Sequence, residues 1–103
     1  MDWTKMSLAE QLGNAGSDFD RAVRWKQKKQ AKLAMSAAQR TLDQIDQTLS
    51  DDRHAGYRRK EIARLREEVC RELFADEINI ESAKQLQRYF LAFAIVTRRR
   101  TGL

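Results

Sequence analysis

The sequence predicts an all-α protein, arranged as an antiparallel up-down-up-down four-helix bundle. Three observations point there. Proline is absent and glycine occurs only four times, while Ala, Leu, Glu, Gln, Lys and Arg, which lose least on entering a helix, dominate. Apolar residues recur at alternating steps of three and four, the repeat of one helix face. The segments between these stripes are short and polar, and short connections make successive helices run antiparallel. With 103 residues, 42% of them apolar and 34% charged, the chain suits one helical domain over 1–103.

The first helix is expected over 5–27, with Leu8, Leu12, Ala15, Phe19 and Ala22 on its inner face. A second stripe, Ala31, Met35, Ala38, Leu42, Ile45 and Leu49, marks a helix over 30–50. Continuing the first stripe would place Lys26 and Lys29 in the core, so the two stripes are out of phase. A tight turn is therefore expected in Lys26-Gln27-Lys28-Lys29-Gln30, which lacks the usual glycine or proline; the alternative is one long bent helix.

Aspartates and a glycine in Ser50-Asp51-Asp52-Arg53-His54-Ala55-Gly56 mark a loop. The third helix follows over 57–75, with Ile62, Leu65, Val69 and Leu73 inward and Cys70 and Phe74 beside them. The fourth is expected over 80–99. It starts either at an Asn79 cap with Glu81 in its first turn, or one turn later at a Ser82–Gln85 capping box.

Cys70 is the only cysteine, so no disulfide can form within the chain, and Met1-Asp2-Trp3-Thr4-Lys5 does not open a secretory signal. The longest uncharged apolar run, Tyr89 to Val96, is far short of the roughly 20 residues that a spanning helix needs. A cytoplasmic location without membrane association is expected.

Enzyme chemistry finds little to stand on. His54 and Cys70 are each single and carry no metal-ligand spacing around them. Without a nucleophile beside an oriented base, His54 is expected to be a surface loop residue. Cys70, next to an apolar stripe, suits a small packing role, and the pairs Asp43/Asp46 and Asp51/Asp52 suit solvation and helix ending. Gly13-Asn14-Ala15-Gly16 lacks the strand of a phosphate loop, so its glycines are expected to let another helix come close. No catalytic, cofactor-binding or metal-binding residue is assigned, and the chain is not expected to be an enzyme.

Two features remain. The net charge of +5 is concentrated in Arg21, Arg24, Lys26, Lys28, Lys29, Lys32 and Arg40, with no acidic residue between Asp20 and Asp43. Arg21, Arg24, Lys28, Lys29 and Lys32 are candidate phosphate contacts, and Trp25 among them could stack on a base. The bland alternative is that Asp76, Glu77 and Glu81, at the same end of such a bundle, neutralise part of the cluster. Arg98, Arg99 and Arg100 form a second basic run that favours the end of the helix dipole.

The second feature is Tyr89-Phe90-Leu91-Ala92-Phe93-Ala94-Ile95-Val96, apolar around its whole circumference where a peripheral helix needs one stripe. Either the other helices wrap it, or Tyr89, Phe93 and Val96, with Trp25 or Trp3, meet a second copy or another protein.

The segments Leu8-Ala9-Glu10-Gln11-Leu12-Gly13-Asn14, Arg24-Trp25-Lys26, Arg66-Glu67-Glu68-Val69-Cys70 and Leu86-Gln87-Arg88-Tyr89-Phe90 resemble a group of small uncharacterised bacterial all-helical proteins with no assigned activity. The resemblance implies a bacterial, cytoplasmic protein and carries over no functional residue. The expected function is a non-enzymatic protein-interaction module that forms a homodimer. The alternative is a small nucleic-acid-associated protein that uses Arg21 to Lys32.

Overall fold

A computed structural model describes residues 3–100, including the side chains of all but Thr4, Phe93, Ala94 and residues 96–100. Four α-helices succeed one another: α1 (Leu8–Gln27), α2 (Ala31–Leu49), α3 (Tyr57–Leu73) and α4 (Ile80–Arg100). Short 3-10 turns lie at Trp3–Lys5 and Asp52–His54, and no strand occurs among the described residues. The expected all-α fold with four helices is found.

Local chemistry sets most of the helix ends. α1 starts at Leu8 rather than residue 5 because Ser7 and Glu10 form a capping box: each side chain accepts from the other's backbone N–H, at 3.1 and 3.2 Å. α4 takes the earlier of its two expected starts, since Asn79 Oδ1 accepts from Ser82 N–H at 3.1 Å and Glu81 sits in the first turn.

α1 and α2 are separate helices joined by a tight turn. Gln30 N–H returns to Trp25 C=O at 2.9 Å and Lys29 N–H to Lys26 C=O at 3.0 Å, the paired bonds of a Schellman helix end. That geometry places Lys29 at φ 61°, in the left-handed region that glycine usually fills.

Every apolar position expected inside α1 is buried, from Leu8 to Ala22. α1 packs most extensively on α2, next on α4, and least on α3. Side-chain bonds from α1 to α2 and the residues just after it step in opposite directions along the chain: Gln11 reaches Asp51, and Asp18 reaches Gln44. Phe19, with no exposed surface, meets Phe90 of α4 at 5.7 Å between ring centroids. Gly16 lets α4 come this close, for a Cβ there would stand 3.1 Å from the Phe90 Cβ. Gly13 has open space around it, so the expected role for glycine holds at Gly16 alone.

The second stripe needs correction. Ala31 and Met35 are exposed, Met35 by 47%, and fully buried positions in α2 begin only at Ala37. A helical stripe is buried only where a neighbour covers it, and the first turns of α2 project past their cover. Farther along, Thr41 and Thr48 are wholly buried. Their hydroxyls donate to Ala37 C=O and Gln44 C=O one turn back, which satisfies them without a partner on another helix.

α3 buries Ile62, Leu65, Val69 and Leu73 as expected, whereas Phe74 is 52% exposed. It is tied to α2 by the two-pronged Arg66–Asp46 pair, at 2.6 and 3.2 Å, and its contact with α4 is slight. Its C-terminal carbonyls take a cation from another helix: Lys26 Nζ donates to Leu73 C=O at 2.8 Å and also to Ala75 C=O. This is the favourable end of the helix dipole for a positive charge.

The strained turn gives a direct test. Replacing Lys29 with Gly removes a side chain from the left-handed position and is expected to stabilise the protein by about 1 kcal/mol, whereas Lys29→Val should destabilise it by at least as much. Urea unfolding followed by circular dichroism measures both.

Candidate functional site

Three surfaces or clusters hold the residues that the sequence singles out or that the fold brings together. The first is the outer side of α4. Its inner side is anchored by Ala83 and Phe90, 3% and 4% exposed, yet Leu91 and Ile95 are exposed by 62% and 42%. These two residues are four apart and so share one face. Leu91 also stands at the rim of a groove of about 230 Å³ between α1 and α4, lined by Gly13, Ser17, Asp20 and Gln87. Asp20 bonds Gln87 there, and its burial raises its pKa above the ordinary carboxylate value.

The expected interface residues fall in different places. Tyr89, 38% exposed, turns away from Leu91 and lines a cavity of about 390 Å³ between α3 and α4 with Glu61, Arg64, Leu65 and Leu86. The Phe93 and Val96 side chains lie outside the described residues, as do those of Arg98, Arg99 and Arg100. Trp25 is remote from this face. Phe90 sits against Gly16, nine residues from Trp25 along α1, which is about 13 Å at the rise of an α-helix. Sequence reasoning missed Leu91 and Ile95; an all-round apolar segment indicates that a face lacks cover without saying which one.

The second cluster is basic. Arg21, Arg24 and Lys28 share the outer face at the end of α1, with Trp25 at the border of its buried side, and together they line a cleft of about 300 Å³. Lys28 Nζ lies over the Trp25 ring, 5.5 Å from its centroid. The fold divides the expected phosphate contacts into committed and open cations. Arg21 and Arg40 both pair with the carboxylate of Asp18, at 2.9 and 3.5 Å, and that side chain is only 7% exposed. Lys26 is spent on the end of α3. Arg24, Lys28, Lys29 and Lys32 are exposed and make no salt bridge among the described residues.

The third cluster was not legible as a unit. Gln11, wholly buried in α1, donates from its amide nitrogen to Trp3 C=O at 3.0 Å and to Asp51 Oδ2 at 3.1 Å. Its oxygen meets His54 Nε2 at 3.1 Å, so that nitrogen carries the proton in the neutral ring. Arg53 binds both oxygens of Asp51 and reaches Met6 C=O at 2.7 Å. His54 is therefore not the expected surface residue: it is 4% exposed and closes a polar network between the start of α1 and the α2–α3 connection. The Arg53 bonds hold the Asp51 carboxyl far below the usual carboxylate range, while burial pushes the His54 imidazole down. Both groups are committed to structural bonds.

Among the described residues, no three His, Cys, Asp or Glu side chains gather as a metal ion would require, and no helix is long and apolar enough to cross a membrane. Cys70 is a free thiol with Arg66 Nη1 3.8 Å from its sulfur. Compared with known protein families, curated proteins and solved structures, the chain matches none.

The buried network predicts an acid-sensitive fold. The folded protein resists protonating His54 near its ordinary pKa of 6.5, whereas the unfolded chain does not, so stability falls as pH drops through 6.5. Asp51 contributes fully above its ordinary 3.8 and is lost below it, a second fall in the same direction. Thermal melts from pH 8 to 3 should show both stages, and His54→Gln should abolish the first.

Proposed function

We propose that this protein is a non-enzymatic protein-interaction module that self-associates as a homodimer through the outer face of α4. The observation that carries this reading is the exposure of Leu91 and Ile95 on a helix whose opposite side is already packed on α1. Large side chains on a second face gain nothing from the core of their own chain, and a partner that covers them recovers the transfer free energy of apolar surface, about 25 cal/mol per Å².

The groove beside Leu91 favours a second copy as that partner. A two-fold interface must be self-complementary, and here a protruding leucine stands beside a hollow lined by Gly13 and Ser17, so each copy can offer both a knob and a hole. The helices of each protomer follow an up-down-up-down course in this reading. It is supported by the opposed steps of the Gln11–Asp51 and Asp18–Gln44 bonds and by Lys26, near the end of α1, meeting the end of α3. A free cysteine and the resemblance to small bacterial all-helical proteins favour the bacterial cytoplasm as its location.

Size-exclusion chromatography with light scattering tests the proposal. The 12.0 kDa chain should elute at twice its mass, and Leu91→Glu or Ile95→Glu should return it to a monomer with unchanged helical circular dichroism. A wild-type monomer at high micromolar concentration, or a dimer indifferent to both substitutions, would overturn it.

A further inference from the structure

The basic cleft on α1 shares no lining residue with the groove beside Leu91. Trp25 has its indole half-buried at the cleft edge, with Arg21, Arg24 and Lys28 around it on the same helical face. Lys29 and Lys32 extend the open cations across the turn into α2. Of the acidic residues nearby, Asp18 holds Arg21 and Arg40, Asp20 bonds Gln87 with the charge of Arg24 beside it, and Asp76, Glu77 and Glu81 stand exposed at the same end of the bundle. What remains is an aromatic face beside Lys28, Lys29 and Lys32, which make no salt bridge among the described residues, with Arg24 at its edge.

We propose that this cleft binds single-stranded nucleic acid, with one base stacked on Trp25 and the flanking phosphates on Arg24, Lys28, Lys29 and Lys32. Stacking on a side chain requires a base free of its own stack, which a single strand offers and a duplex does not. The ammonium of Lys28 occupies the ring in the free protein. A base takes its place, and the freed lysine turns to a phosphate. Leu33 and Met35, each 47% exposed beyond the turn, raise the rival idea of a lipid surface. Two observations favour the single strand. Trp25 is half-buried rather than protruding, and Asp76, Glu77 and Glu81 lie exposed at the same end, where Lys26 reaches Ala75. Those carboxylates repel a continuous anionic sheet, whereas a strand can pass beside them.

The test is fluorescence anisotropy with a labelled single-stranded RNA of about ten nucleotides, titrated at several salt concentrations. Four phosphate contacts give a slope of about −3 in log K against log salt, and Lys28→Glu should weaken binding and flatten that slope by about 0.7. Trp25→Ala should cost roughly tenfold or more in affinity, while Trp25→Phe, which keeps a stacking face, retains most of it. In a Trp3→Phe background, RNA should quench the remaining tryptophan emission. The proposal is overturned by salt-insensitive binding, by duplex RNA binding as tightly as the single strand, by Trp25→Ala binding like wild type, or by binding to anionic phosphatidylserine vesicles and not to RNA.

Discussion

The contact between Phe19 and Phe90 sets the spacing on which the other helices depend. Burying an aromatic ring of this size contributes about 1.5–3 kcal/mol, and the gain requires that α4 lie flat against α1. Glycine at position 16 lets this happen without displacement, since a Cβ there would press on Phe90 at 3.1 Å. With α4 held there, the inner side of α1 is shared between α4 and α2. α3 is left to close the remaining edge by way of α2.

That arrangement determines where charge goes. α1 is covered on one side only, so its outer face can carry cations without desolvation, and the chain uses some of them as structural bonds. One nearly buried carboxylate, Asp18, anchors two arginines and the Gln44 amide. One lysine ends a different helix from its own. A strongly basic composition thus resolves into a few cations fixed by the fold and a few left to the solvent, and only the second set bears on what a polyanion would meet.

Much of this was written in the sequence, and the exceptions have physical causes. The stripe of α1 could be read residue by residue because that helix is covered along its whole length, so burial follows the period of 3.6. The Ser7–Glu10 capping box went unread beside that stripe, and it starts the helix three residues later than the stripe suggested. The stripe of α2 misled at Ala31 and Met35, since periodicity tells which face would be buried and not how far a neighbour extends. His54 gave no signal at all: a lone polar residue in a polar loop has no period, and its partner Gln11 lies forty-three positions away. The candidate sites divide in the same manner. The basic cluster is contiguous in sequence and could be seen there, whereas the uncovered face of α4 depends on how the helix is rotated about its axis.

The slight seam between α3 and α4 has a consequence for how the molecule opens. All four helices contribute to one core, with α1 at its centre, and α3 joins it through its apolar stripe, the Arg66–Asp46 pair and the Lys26 cap. Regions with fewer shared contacts exchange their amide hydrogens through local openings that cost less than global unfolding. Of the four helices α3 is the least extensively packed on the others, so it is the one whose local opening costs least.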